Sequence, residues 1–89
     1  MADKIHFDLV SPEQMLLSED VTMVTLPGTE GYFGVLAHHA AMVTALAKGT
    51  LTVRSAGAAE ERWEVAGGFF EVSNNAATVL ADAAGPAKG

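Results

Sequence analysis

Eighty-nine residues carrying eleven acidic and five basic side chains, a formal net charge of −6 and no cysteine leave room for one domain and exclude a disulfide framework, an iron–sulfur cluster and a thiolate zinc site. The acidic balance argues against nucleic acid, which calls for a basic face, and against docking or insertion at anionic lipid. The longest apolar runs, about five residues, fall far short of the roughly 20 that cross a bilayer, and Met1-Ala2-Asp3-Lys4 opens without the apolar core of a signal peptide, so the expectation is a soluble, cytosolic protein.

Period-two alternation dominates the chain. Ile5, Phe7 and Leu9 alternate with His6 and Asp8, which reads as a strand with one wet face. Ser11-Pro12-Glu13 breaks that strand from Gln14–Glu19. Thr22 to Leu26 is more evenly apolar, so it is either buried on both faces or placed at an interface. Pro27-Gly28 ends it and opens a turn-rich stretch, Pro27-Gly28-Thr29-Glu30-Gly31-Tyr32-Phe33-Gly34-Val35-Leu36. Glycines at 28, 31 and 34 recur every third residue, a spacing no helix would choose because each interior glycine costs about 1 kcal/mol relative to alanine. The chain must turn tightly there or bring its backbone close to something. His39–Ala47 is compatible with a short helix or a strand.

Leu51 and Val53 alternate with Thr50, Thr52 and Arg54, and Trp63 and Val65 with Arg62 and Glu64. Lys48-Gly49, Ala56-Gly57-Ala58, Gly67-Gly68 and Asn74-Asn75 punctuate these runs every eight to ten residues or so, the rhythm of an all-β sandwich or barrel. Asn74-Asn75 suits a two-residue hairpin, and Gly67-Gly68 is either a turn or a kink within a long strand. Ala76 to Ala81 is again evenly apolar. The domain is expected over 1–83, with 84–89 a small-residue, flexible tail. There is no internal repeat.

No catalytic constellation stands out. His38 and His39 are adjacent, and on a strand they would face opposite ways, so they do not chelate one metal. None of Ser11, Ser18, Ser55 and Ser73 sits in a nucleophile elbow. Glu60, Glu61 and Glu64 read as a solvated acidic face. The three glycines match neither a dinucleotide fingerprint nor a Walker A loop. Phe7, Trp63 and one of Phe69 and Phe70 are expected to anchor the core, and the other phenylalanine meets a partner or a second sheet. Tyr32, set in the glycine-rich turn, is expected to be exposed and available for contact.

The order of these pieces resembles the N-terminal domain of the ε subunit of bacterial F-type ATP synthase. The resemblance runs from Ile5 to about Ala84. It is carried by Asp8-Leu9-Val10-Ser11-Pro12-Glu13, then Gly28-Thr29-Glu30-Gly31-Tyr32-Phe33-Gly34-Val35, then His39-Ala40-Ala41-Met42-Val43-Thr44-Ala45-Leu46 with Lys48-Gly49. Ala66-Gly67-Gly68-Phe69-Phe70-Glu71-Val72 and Thr78-Val79-Leu80-Ala81-Asp82 close it. It implies an all-β flattened sandwich or barrel of about ten short strands.

It also implies a non-catalytic rotor subunit without cofactor or metal, peripheral on the cytoplasmic face of the bacterial inner membrane. Such a subunit binds the γ subunit and the c ring and couples proton-driven rotation to ATP synthesis. By this resemblance Glu30, Gly31 and Tyr32 face the c ring, and His39 and Met42 face γ. Tyr32 departs from the acidic or polar residue common at that position, and Ala37 and Ala41 stand where the family often has proline. The family usually continues into a helical hairpin that inhibits hydrolysis. Here only Ala83–Gly89 follows Asp82, so the expectation is a subunit without that arm. The competing expectation is a generic small β-sandwich protein-binding module.

Overall fold

The computed structural model describes residues 3–87. Eight strands follow one another: β1 (Ile5–Val10), β2 (Met15–Val21), β3 (Met23–Gly28), β4 (Gly31–Leu36), β5 (Met42–Arg54), β6 (Glu61–Ser73), β7 (Ala76–Ala81) and β8 (Ala84–Pro86). Among the described residues there is no helix, so the ambiguous segment after His39 is strand. The sheet order is β2-β1-β7-β6-β5-β3-β4, with β8 paired to β6. β1 and β7 run parallel, which ties the two ends of the domain together; the other pairs are antiparallel.

The strand count falls below ten because β5 and β6 are single bent strands of 13 residues each. Lys48-Gly49 lies inside β5 and makes no turn. Gly67-Gly68 is a kink. Before it β6 pairs with β8, at Trp63–Val65; after it β6 pairs with β7, at Gly68–Ser73. The change of neighbour needs φ of 91° at Gly67 and 133° at Gly68, which side chains rarely adopt. β8 takes up three residues that the sequence assigns to a tail, while residues 88 and 89 lie outside the described residues. Asn74 and Asn75 both have positive φ, 49° and 60°, and form the expected hairpin between β6 and β7.

Alternation sorts the core from the surface. Ile5, Phe7 and Leu9 are fully buried, as are Val24, Leu26, Val35, Leu51, Phe70 and Val79. Among the described residues no polar or charged residue is buried. Phe70 meets Phe33 edge-on with ring centroids 5.8 Å apart, a favoured aromatic geometry. Trp63 corrects the sequence reading. It is half-buried and packs against the core from the rim, next to β8. Alternation gives the indole its direction but not its depth, and the fully buried aromatics are Phe7 and Phe70.

Candidate functional site: two interaction surfaces

The first surface is the tip of the β3–β4 hairpin. Thr29 and Glu30 form its two-residue turn, because Gly28 pairs with Gly31 across the strands. Glu30, Gly31 and Tyr32, the residues assigned to the c ring from sequence, stand together there and are exposed. They line an open depression of about 320 Å³ whose far wall includes Met42 and Thr44 of β5. Met42 is thus brought to the same place as Glu30, and it packs partly against the core. His39 does not line that depression. It sits before β5, where its amide donates to the Leu36 carbonyl at 3.3 Å and its Nδ1 donates to the Ala40 carbonyl at 2.7 Å.

The second surface lies on the outward face of the sheet. Met15 pairs with Val10, Val10 with Leu80, Leu80 with Phe69, and Phe69 with Ala45. Cross-strand partners project to the same side, so this register draws one apolar row across five strands. Val43 continues it, two residues along β5. Phe69, Leu80, Met15 and Val43 are 58%, 51%, 57% and 72% exposed. An exposed apolar row of this kind is a candidate protein-contact surface. The adjacent Phe69-Phe70 pair points to one member of it, Phe69. Nothing in the sequence singles out Met15, Val43 and Leu80, because the row exists only through pairing between strands distant in sequence.

The remaining polar groups do structural work. His6 on β1 lies between Asp20 of β2 (Nδ1–Oδ1 2.9 Å) and Asp8 of its own strand (Nε2–Oδ1 3.0 Å), with the Ser18 hydroxyl 3.3 Å away. β7 offers it only Ala76 at the paired position. The hydrogen bond to Asp20, helped by the charge of Asp8, raises the His6 pKa above its ordinary value against a smaller opposing effect of burial. The folded state therefore holds this proton more tightly than the unfolded chain. The contribution to stability is complete below about pH 6.5 and is lost as pH rises through the higher folded-state value. Because the ring is well exposed, the effect is modest. The melting temperature is expected to fall between pH 6 and 8 and to flatten in His6→Gln; identical pH slopes in thermal melts of the two proteins would remove the His6 account.

The acidic cluster is divided among separate tasks. Arg54 and Arg62 hold the Glu60 carboxyl below its usual pKa. Burial raises Glu61, and the neighbouring Glu19 carboxylate raises it further. Glu64 accepts from the Thr50 hydroxyl at 2.9 Å. His38 lies in a turn at φ 64°, not on a strand, and its Nε2 meets Asp3 Oδ2 at 2.9 Å while Asn75 Oδ1 accepts from its amide. Asp82 lines a different depression with Val10, Phe69 and Leu80 and with neither His38 nor His39. Among the described residues no group of three or more histidines and carboxylates could hold a metal ion, and no helix is long and apolar enough to cross a membrane.

Fold and surfaces together define a small all-β domain with an exposed hairpin tip and an exposed apolar row. The chain belongs to the family described as ATP synthase, Delta/Epsilon chain, beta-sandwich domain, whose model matches residues 4–87. It is 55% identical over 82 residues to the ATP synthase epsilon chain of Rhodopseudomonas palustris (strain TIE-1), covering 92% of this chain and 60% of that one. It is 48% identical over 86 residues to the ATP synthase epsilon chain of Paramagnetospirillum magneticum, covering 97% of this chain and 65% of that one. The chain thus spans 60–65% of the length of these relatives.

Among solved structures, a chain of the Euglena gracilis mitochondrial ATP synthase (OSCP/F1/c-ring) superposes with a TM-score of 0.90 at 30% identity, over 97% of this chain and 55% of that one. A chain of the Tetrahymena thermophila mitochondrial ATP synthase central stalk and c ring gives 0.80 at 17% identity, over 96% of this chain and 68% of that one, a likeness of fold.

Proposed function

We propose that this chain serves as a non-catalytic rotor subunit in the central stalk of a proton-translocating F-type ATP synthase. Its role is to hold the γ subunit and rest on the c ring, so that proton-driven rotation reaches the catalytic head. In a bacterial cell that places it at the cytoplasmic face of the inner membrane, as a peripheral part of the complex. Family membership and the similarity to a chain from an F1/c-ring assembly support this reading.

The observation that carries it is the apolar row from Met15 to Val43, a surface that calls for a protein partner. We assign that row to γ, and with it His39 and Met42, the γ candidates of the family resemblance, which lie at the start of β5 with Met42 on the opposite face from Val43. The hairpin tip, with Glu30, Gly31 and Tyr32, is assigned to the c ring. The tip is built on β3 and β4 and the row on β2, β1, β7 and β6; they meet only on β5, which turns Met42 and Thr44 toward the tip and Val43 and Ala45 toward the row.

Co-purification with γ from the same source, read by size-exclusion chromatography with light scattering, tests the assignment. A one-to-one complex is expected. Clean separation of two folded proteins would overturn the stalk role for this chain and favour a β-sandwich module with another partner.

A further inference from the structure

We infer that Tyr32 is a positioning residue for the hairpin tip, acting through a main-chain contact on β5 and not only as an exposed contact. The inference rests on the assignment of the tip as a docking surface, but its structural part can be read on the chain alone.

β3 and β5 lose their regular pairing in the middle. Thr25 pairs with Thr52, and the next pair is Gly28 with Leu46. Leu26 and Pro27 therefore stand opposite the five residues 47–51, and the ladder is broken over that stretch. Proline has no amide to donate there. The β5 amides that would have been satisfied by β3 need other acceptors.

The Tyr32 phenol supplies one. Thr50 donates its amide to Tyr32 Oη at 3.0 Å, reaching a side chain 18 residues away. Room for that phenol depends on Gly49. A Cβ there would stand 2.7 Å from Tyr32 Oη and 2.7 Å from Pro27 Cβ. Gly49 and Tyr32 are thus a matched pair: one omits a side chain where the other ends.

The consequence for the tip is mechanical. Tyr32 lies one residue after Gly31, and the residue remains 60% exposed even with its hydroxyl engaged. The hydroxyl is a strut from the start of β4 to the far side of the bulge. It fixes the turn Thr29-Glu30 relative to the long strand that also leads toward Val43. A tip that presents Glu30 in one orientation meets a partner with less ordering to do on contact.

Hydrogen exchange by NMR on the intact chain tests this with Tyr32→Phe, which removes the hydroxyl and keeps the ring. Exchange at Thr50 is expected to rise about three- to tenfold, the range set by one hydrogen bond of ordinary net strength. The amides of 29–31 should rise with it, while Phe70 and Val79 report the unchanged core. Equal exchange at Thr50 in both proteins would overturn the contact. A rise at Thr50 alone, with 29–31 unmoved, would overturn the positioning role. Should the core amides accelerate as well, Tyr32→Trp and Tyr32→Leu serve as size controls; tip exchange that follows side-chain volume and not loss of the hydroxyl overturns the inference. Failure of Glu30→Gln to change c-ring binding would instead count against the docking assignment, leaving the strut standing.

Discussion

Phe69→Asp is expected to abolish the one-to-one complex with γ while leaving the melting temperature within a few degrees of the parent protein. Phe69 lies in the middle of the apolar row, paired on one side with Leu80 and on the other with Ala45. Its ring is more than half exposed, so the fold gains little from it. A carboxylate at the centre of a desolvated contact must lose its water without gaining a partner. Central aromatic anchors commonly contribute 2 kcal/mol or more to binding, about thirtyfold in affinity, and the unpaired charge adds to that loss.

The neighbouring residue is the control. Phe70→Ala removes a fully buried ring from the same strand and should cost about 3–5 kcal/mol of stability. Calorimetric titration with γ, alongside thermal melts, separates the two effects. Undiminished γ affinity in a folded Phe69→Asp protein would move the γ contact off this face.

That contrast also shows what the sequence could and could not disclose. Strand neighbours face opposite ways, so the sequence puts Phe69 and Phe70 on opposite faces, but it leaves open which is inside and whether the other meets a partner or a second sheet; the structure buries Phe70 and exposes Phe69. The inward sets Ile5, Phe7, Leu9 and Leu51, Val53 were equally plain, because they are local patterns of period two. The apolar row was not, since Met15, Leu80 and Val43 become neighbours only through register. Trp63 shows a second limit: alternation gives a side chain's direction but not its depth, and the indole stops half-buried. Lys48-Gly49 looked like a turn because the glycine is real. Its purpose is to make room for Pro27 and the Tyr32 hydroxyl, which lie far from it in sequence. The hydroxyl's engagement with Thr50 was hidden in the same way.

Gly68→Ala is expected to be the most damaging single methyl group on the outward half of the sheet. The residue sits where β6 leaves β8 for β7, and its φ of 133° belongs to a region that is nearly glycine's alone. Backbone strain of that kind contributes roughly 1–3 kcal/mol. A Cβ there would also collide with the Leu80 carbonyl oxygen and would stand 2.9 Å from Ala81 Cα. Both obstacles are backbone, so neither can swing aside as a side chain would. The strands must separate at Gly68–Ala81, a ladder pair, or β6 must straighten and give up its change of neighbour. Either response displaces Phe69 and Leu80 together, since they form the next pair along. A loss on the order of 3 kcal/mol or more follows, a large share of the stability of a domain this small. The apolar row should be distorted in whatever fraction still folds. Denaturant titration measures the first effect and γ binding by the folded fraction the second. A Gly68→Ala protein with parental stability would mean that the kink is not fixed by the backbone of residue 68.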